Sequence, residues 1–267
     1  MEKILLNRLT NDDFIHPLDK ASMDRINDVP GFEALTRFIY KNSIEVFYNV
    51  KLKGGSIKLS ENNCPRVIKI FREAAEILNM EDAPDIYLER GYRFKNQIIG
   101  YEKPIILLHT NCIDYLDDDQ LSFIAGRCLG GIKLGHNKLE LFCDVVDQFG
   151  AIIPKEVMAV VLMPLFQWKR KSDFSQDRAG LLTCQDFNSA IQVMMLESGI
   201  PYGEEKNIDF AEYISQAVTF HGNNIVEKTG KAVITLSNEN AWIIDRVAEL
   251  FTWNEMGNLD KILETCK

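Results

Sequence analysis

The segment LSFIAGRCLGGIKLGH, residues 121–136, sets a thiol, Cys128, directly after a guanidinium, Arg127, and follows them with His136. A cation beside a cysteine lowers the thiol's pKa and favours a nucleophile. Nucleophilic catalysis also needs a base and an oxyanion site. The sequence names neither, so a buried, inert thiol is the reading that Cys128 supports. His136 lies eight residues beyond Cys128, about 12 Å along a helix, and the two cannot share a metal without a break between them. Structural hydrogen bonding is the expected role of His136. The remaining histidines, His16, His109 and His221, form no HxH or HxxxH pair. Six cysteines, at 64, 112, 128, 143, 184 and 266, lack CxxC spacing. That suits buried thiols in a reducing compartment better than a disulfide framework or a zinc ribbon.

The elements that must position these residues are read from periodicity. Helical spacing marks 16–28 and 31–50, with Pro30 at a first-turn position. GGSIKLS suggests a short strand through Ile57 and Leu59. In 64–80, Val67, Ile70, Phe71, Ala74, Ile77 and Leu78 fall on one helical stripe. Strands are expected at 85–89 and 103–109, with a shorter one at 94–100. Asp117, Asp118 and Asp119 then open the helix that carries Arg127, where acids cap and suit the positive helix end. Its run of apolar residues makes it a mostly buried helix reaching His136. Further helices are expected at 155–171, 173–198, 208–220 and 240–256. The fold class is α+β with helices dominating. No repeat or linker divides the chain, so one domain, 1–267, is expected.

Composition narrows the functions. Acidic residues outnumber basic ones, 39 to 30, for a formal charge of −9, which disfavours a surface that reads nucleic-acid phosphates. The longest apolar run, VMAVVLMPLF (157–166), is short and contains Pro164. It reads as a buried helix rather than a span of roughly 20 apolar residues. With no signal peptide at the N-terminus, the expected location is the cytoplasm.

The order of segments resembles the HtpX-like and CAAX-prenyl-protease-type zinc metallopeptidases, in their soluble bacterial branch. HPLDKASMDRINDVPGFEAL, NQIIGYEKPIILLHTNCIDYLDDDQLSFIAG, SDFSQDRAGLLTCQD and DRVAELFTW carry the resemblance, in the family's order. It implies a mainly helical zincin-like fold with a small sheet beside the central helix. In such enzymes that helix bears HExxH, whose histidines bind zinc and whose Glu activates a metal-bound water. Alignment with the family's GHELGHIxxGH puts Arg127 and Gly131 at the histidine positions and Cys128 at the Glu position. The third ligand aligns with Asp173, one methylene short, and the family's following Asp and Arg are Asp177 and Arg178.

These replacements imply loss of the metal. A guanidinium stays protonated and offers no lone pair, Gly131 has no side chain, and one carboxylate does not hold a four-coordinate zinc. A thiol at 128 also replaces the general base. The expectation is a pseudopeptidase without zinc or any other cofactor. Arg127, Asp173 and Asp177 would line the former metal pocket. Arg127 is either an ordinary helix arginine reaching solvent or a charge that replaces zinc by pairing with Asp173 or Asp177. Gly130 and Gly131 either hold a groove open or reflect packing at 130 and drift at 131. The alternative is a hydrolase with relocated residues, drawn from Cys128, Asp173, Asp177 and His136.

The expected partner is a peptide or protein, held without cleavage by strand addition along the KPIILLH edge. One form is a heteromer in which an active relative supplies the zinc. The basic run WKRKSD (168–173) suggests an acidic peptide or partner, although a solvated helix end is the commoner meaning. Trp242, Phe251 and Trp253 sit on a terminal amphipathic helix, where core packing is the expectation.

Overall fold

The computed structural model describes residues 3–39, 50, 52, 54–92, 94, 97–140, 143, 155–204, 207–222 and 241–267. It is α+β and mainly helical. The described helices are α1 (Asn11–Phe14), α2 (Pro17–Asn27), α3 (Phe32–Ile39), α4 (Pro65–Ile77), α5 (Thr110–Asp114), α6 (Asp118–Lys133), α7 (Lys155–Cys184), α8 (Phe187–Glu197), α9 (Phe210–Gly222), α10 (Ile243–Glu255) and α11 (Asn258–Thr265). The described strands are β1 (Ile57–Lys58), β2 (Ile86–Glu89), β3 (Gln97–Ile99) and β4 (Ile105–His109), in the order β1-β2-β4-β3. β2 runs parallel to β4, while β1 and β3 are antiparallel to their neighbours. β4 is therefore interior, and KPIILLH is not the edge that the sequence suggested: β2 takes one of its sides and β3 the other. The sheet's outer strands are β1 and β3.

α6 begins as its acids require. The Asp117 carboxylate accepts from Gln120 N at 2.9 Å, and Gln120 Oε1 accepts from Asp117 N at 3.1 Å. This reciprocal cap satisfies donors that the helix cannot pair internally. Every residue from Gln120 to Gly131 is buried. The helix stops at Lys133, short of His136, because Gly135 takes a left-handed φ of 78° that favours glycine.

α6 lies tightly against α7. A Cβ at Gly126 would meet Thr183, and one at Gly130 would meet the Ala179 methyl. The two glycines are four residues apart and so face the same neighbour. From the other helix, Gly180 admits the Phe123 ring, which a Cβ would reach at 2.7 Å. Gly130 is thus a packing residue.

Two helices expected at 155–171 and 173–198 are divided elsewhere. α7 continues through 172 to Cys184, and the break falls at Gln185, whose φ is 53°. Asp186 then caps α8, accepting from Asn188 N at 3.1 Å and Ser189 N at 3.2 Å. SDFSQD holds no glycine or proline to end a helix, whereas Asp186 is a strong cap. WKRKSD consequently lies mid-helix rather than at a solvated end: Trp168 is fully buried, and Arg170 and Ser172 are buried too. In VMAVVLMPLF, the side chains through residue 163 lie outside the described residues, as does the structure of 40–49 within the expected helix 31–50. Pro30 stands in the turn before α3 rather than in its first turn.

The α4 stripe is as its periodicity requires, with all six of its apolar residues buried. Trp242 stands at the position before α10, half-buried and making no side-chain cap, rather than in the core; Trp253 is buried and Phe251 packs on the core. No described helix is long and apolar enough to cross a membrane.

Candidate functional site

Arg127 lies inside an ion cluster drawn from four helices. Its Nη1 donates to Glu197 Oε1 at 2.5 Å, at the end of α8. Its Nη2 donates to Asp173 Oδ1 at 3.3 Å, and its Nε lies 2.9 Å from Asp177 Oδ1. That last contact is an ion pair whose angle falls short of a hydrogen bond. From α10, Arg246 donates through Nε and Nη2 to both Asp177 oxygens, at 2.8 and 2.7 Å, and through Nη1 to Glu197 Oε2 at 2.6 Å. Arg127, Asp173, Asp177 and Arg246 are all buried.

Helical geometry converges these groups. Asp173 and Asp177 are one turn apart on α7 and face α6 together. Glu197 continues the buried stripe of Ala190 and Val193, and Arg246 shares a face with Leu250 and Trp253. Neither Glu197 nor Arg246 was singled out from the sequence. The available signal was a lone charge on an otherwise apolar helix face, since such a residue is rarely buried unless paired.

The electrostatics pull in opposite directions. Full burial pushes the Asp177 carboxyl up, against Arg246 and Arg127, which draw it down. Burial and mutual repulsion disfavour charge on Arg127, but Glu197, Asp177 and Asp173 outweigh them and raise its pKa. Arg246 is driven well above the ordinary arginine value, with Asp177 and Glu197 overcoming burial. The direction that governs the cluster is the retention of both guanidinium charges, because the two-pronged grip on Asp177 requires an ionised carboxylate.

The cluster's donor set does not fit zinc. The three carboxylates surround guanidiniums, which have no lone pair to give a metal. Among the described residues, no three His, Cys, Asp or Glu side chains are arranged to hold a metal ion. The position after Arg127 offers no base: Cys128 is buried, as is its neighbour Cys112, whose thiol burial pushes up and Cys128 pushes further. Gly131 opens no groove. A Cβ there would meet Ile98 Cδ1 at 2.7 Å and Gln176 Nε2 at 3.3 Å, so the edge strand β3 and α7 fill the space beside it.

The pool Cys128, Asp173, Asp177 and His136 is not gathered as one site. The two aspartates serve the arginines, while His136, fully buried, stands 3.0 Å from Asp19 Oδ2 on α2. Ser175 Oγ donates to the same oxygen at 2.5 Å, and the Trp168 ring meets His136 edge-on with centroids 5.3 Å apart. Gln176 lies 3.3 Å from His136 Nδ1 and donates to Glu140 at 2.7 Å. Arg178 leaves the ion cluster altogether: it donates to Ile15 O at 3.3 Å and stacks over Trp253.

Over 228 residues the chain is 29% identical to plastoglobule-localized metallopeptidase 48, chloroplastic, of Arabidopsis thaliana, covering 81% of this chain and 64% of that protein. The chain thus spans just under two thirds of the relative's length. This likeness supports a metallopeptidase kinship. No family model matches the chain, and no solved structure matches it.

Proposed function

We propose that this chain is a pseudopeptidase: a metallopeptidase homologue that has exchanged its zinc for a buried ion cluster and acts by binding a peptide or protein. The observation that carries the reading is the position of Arg127. The residue aligned with the first zinc-binding histidine of the HExxH helix holds its guanidinium among three carboxylates. A cation fixed there does what the metal's charge would do for the surrounding acids, since removing the metal alone would strand buried carboxylates. It supplies neither a Lewis acid nor a means of lowering the pKa of a water.

The scaffold around the cluster supports retention for binding. β3 is an outer strand of the sheet and lies beside α6 at Gly131, so an extended segment added to the sheet there would run along the inherited helix. A heteromer with an active relative is one form of this. The cytoplasmic location and zincin-like fold belong to the same reading.

The test is elemental analysis of the purified full chain, followed by a zinc titration and a fluorogenic peptide-cleavage assay with and without zinc. The expected result is substoichiometric zinc, no saturable binding and no cleavage above buffer. One tightly bound zinc per chain, or zinc-dependent cleavage, would overturn the reading.

A further inference from the structure

Two basic residues of WKRKSD, Arg170 and Lys171, lie outside the ion cluster and line a separate, half-open cavity of about 300 Å³ between α2, α7 and the start of α10. Its lining includes Arg25, Arg170, Lys171 and Asp245 together with Phe174 and Trp242. Arg170 and Asp245 each have interactions of their own. Arg170 is buried and Lys171 half-buried, whereas Arg25 is exposed at the side of α2. Among the described residues the Lys171 ammonium has no hydrogen bond or ion pair; it rests over the Phe174 ring, 4.9 Å from the centroid. Burial lowers the pKa of both Arg170 and Lys171, and for Lys171 the longer-range pull of Glu249 and Asp245 does not restore it. The indole Nε1 of Trp242 is buried with no hydrogen-bond partner among the described residues.

Two of these features ask for the same complement. Burying a charge or a donor without a partner is unfavourable, and an anion at this place would serve the Lys171 ammonium and the Trp242 indole N–H together, with the exposed Arg25 at the side of the cavity. The aromatic walls distinguish between anions. Phe174 and Trp242 give an apolar surface against which a bare, strongly hydrated ion makes no contact, while an acid with an apolar body covers both. The volume lies at the small end of ligand pockets, about 300–1,000 Å³, which suits a molecule of amino-acid size.

We infer that this cavity binds a carboxylate carried on an aromatic or bulky apolar body, its negative end at Lys171 and its ring between Phe174 and Trp242. The same chemistry is offered by a free organic acid and by the C-terminal residue of a peptide. The site is separate from the Arg127 cluster and does not depend on the loss of zinc.

The test is isothermal titration of the full chain with 3-phenylpropionate, N-acetylphenylalanine, N-acetylphenylalaninamide and inorganic phosphate. Both acids should bind saturably, and the neutral amide and phosphate at least ten-fold more weakly. Lys171→Met, which keeps the side chain's length, should weaken the acids at least ten-fold. Arg25→Ala, an exposed change that leaves the fold intact, should weaken them several-fold. Tighter binding of N-acetylphenylalanine would support the site and assign it to a peptide C-terminus; tighter binding of 3-phenylpropionate would support it and assign it to a free acid. Failure of both acids to saturate, an amide or phosphate as tight as the acids, or unchanged affinity in a folded Lys171→Met and in Arg25→Ala would each overturn the inference.

Discussion

Arg246 holds both carboxylate oxygens of Asp177, at 2.7 and 2.8 Å, across the junction between α10 and α7. Asp177 meets Arg127 as well, so one carboxylate ties α6 and α10 to the same point on α7. Replacing Arg246 by Met should strand Asp177 and Glu197 without their second cation. Breaking a buried pair from one side costs about 3–5 kcal/mol, and urea unfolding of the variant should show a loss of that order with an unchanged m-value. A loss below about 1 kcal/mol, the range of an exposed pair, would mean that the cluster is solvated and bears little on the fold.

Removing all the charges is a different experiment. A fully apolar replacement of a buried ion cluster is often neutral or stabilising, so a variant with Arg127→Met, Arg246→Met, Asp173→Leu, Asp177→Leu and Glu197→Leu should recover most of what Arg246→Met loses. The comparison is made by urea midpoint. A five-fold variant less stable than Arg246→Met would show that the ions contribute net stability beyond mutual compensation.

The glycines of α6 separate close packing from mere flexibility. At Gly130 a methyl would press on the Ala179 methyl, whereas at Gly54 it would meet nothing within 4 Å. Gly130→Ala should therefore destabilise by about 1–3 kcal/mol, the usual cost of overpacking, while Gly54→Ala should change stability by about 0.5 kcal/mol or less. Equal effects at the two positions would deny the tight α6–α7 contact.

Thiol accessibility offers a direct check on burial. Of the six cysteines, Cys64 is partly exposed and the other five are buried; burial raises the Cys112 thiol's pKa and takes that of Cys184 to about 12. A thiolate is the reactive form. Native protein should show one fast-reacting thiol towards a chromogenic disulfide reagent and six after denaturation. Two or more fast thiols in the native state would place one of the buried five at the surface.

What the sequence disclosed follows from what periodicity encodes. The α4 stripe and the capping acids of α6 are local signals, and both lead to the observed elements. The boundary after α7 is hard to read from sequence because its cue, Asp186 as a cap after a left-handed Gln185, is two residues long and sits beyond a charged run that imitates a surface. The interior place of β4 depends on the pairing of β3 across it, which alternation within one strand does not reveal. Arg127 meeting Asp173 and Asp177 was among the expected arrangements, but Glu197 and Arg246 come from distant helices whose convergence is tertiary. A single charge on an apolar face, such as Arg246 beside Val247 and Leu250, marks such residues without naming their partner.

Asp19 and His136 supply the last prediction, in acid. Both side chains are wholly buried, and they stand 3.0 Å apart. Burial pushes the Asp19 carboxyl up, but the nearby His136 and the hydrogen bond from Ser175 outweigh it and leave the pKa below its ordinary 3.8. A carboxyl with a depressed folded pKa contributes stability above its unfolded value, and that contribution is lost as pH falls through the folded one. Asp19→Asn keeps the shape and removes the ionisation. The stability difference between parent and variant should hold steady from neutral pH down to the ordinary aspartate range, then shrink as the solution becomes more acid. Unfolding by urea across a pH series reads that difference directly. A gap that widens with acidification would reverse the sign and show that Asp19 is protonated in the folded protein.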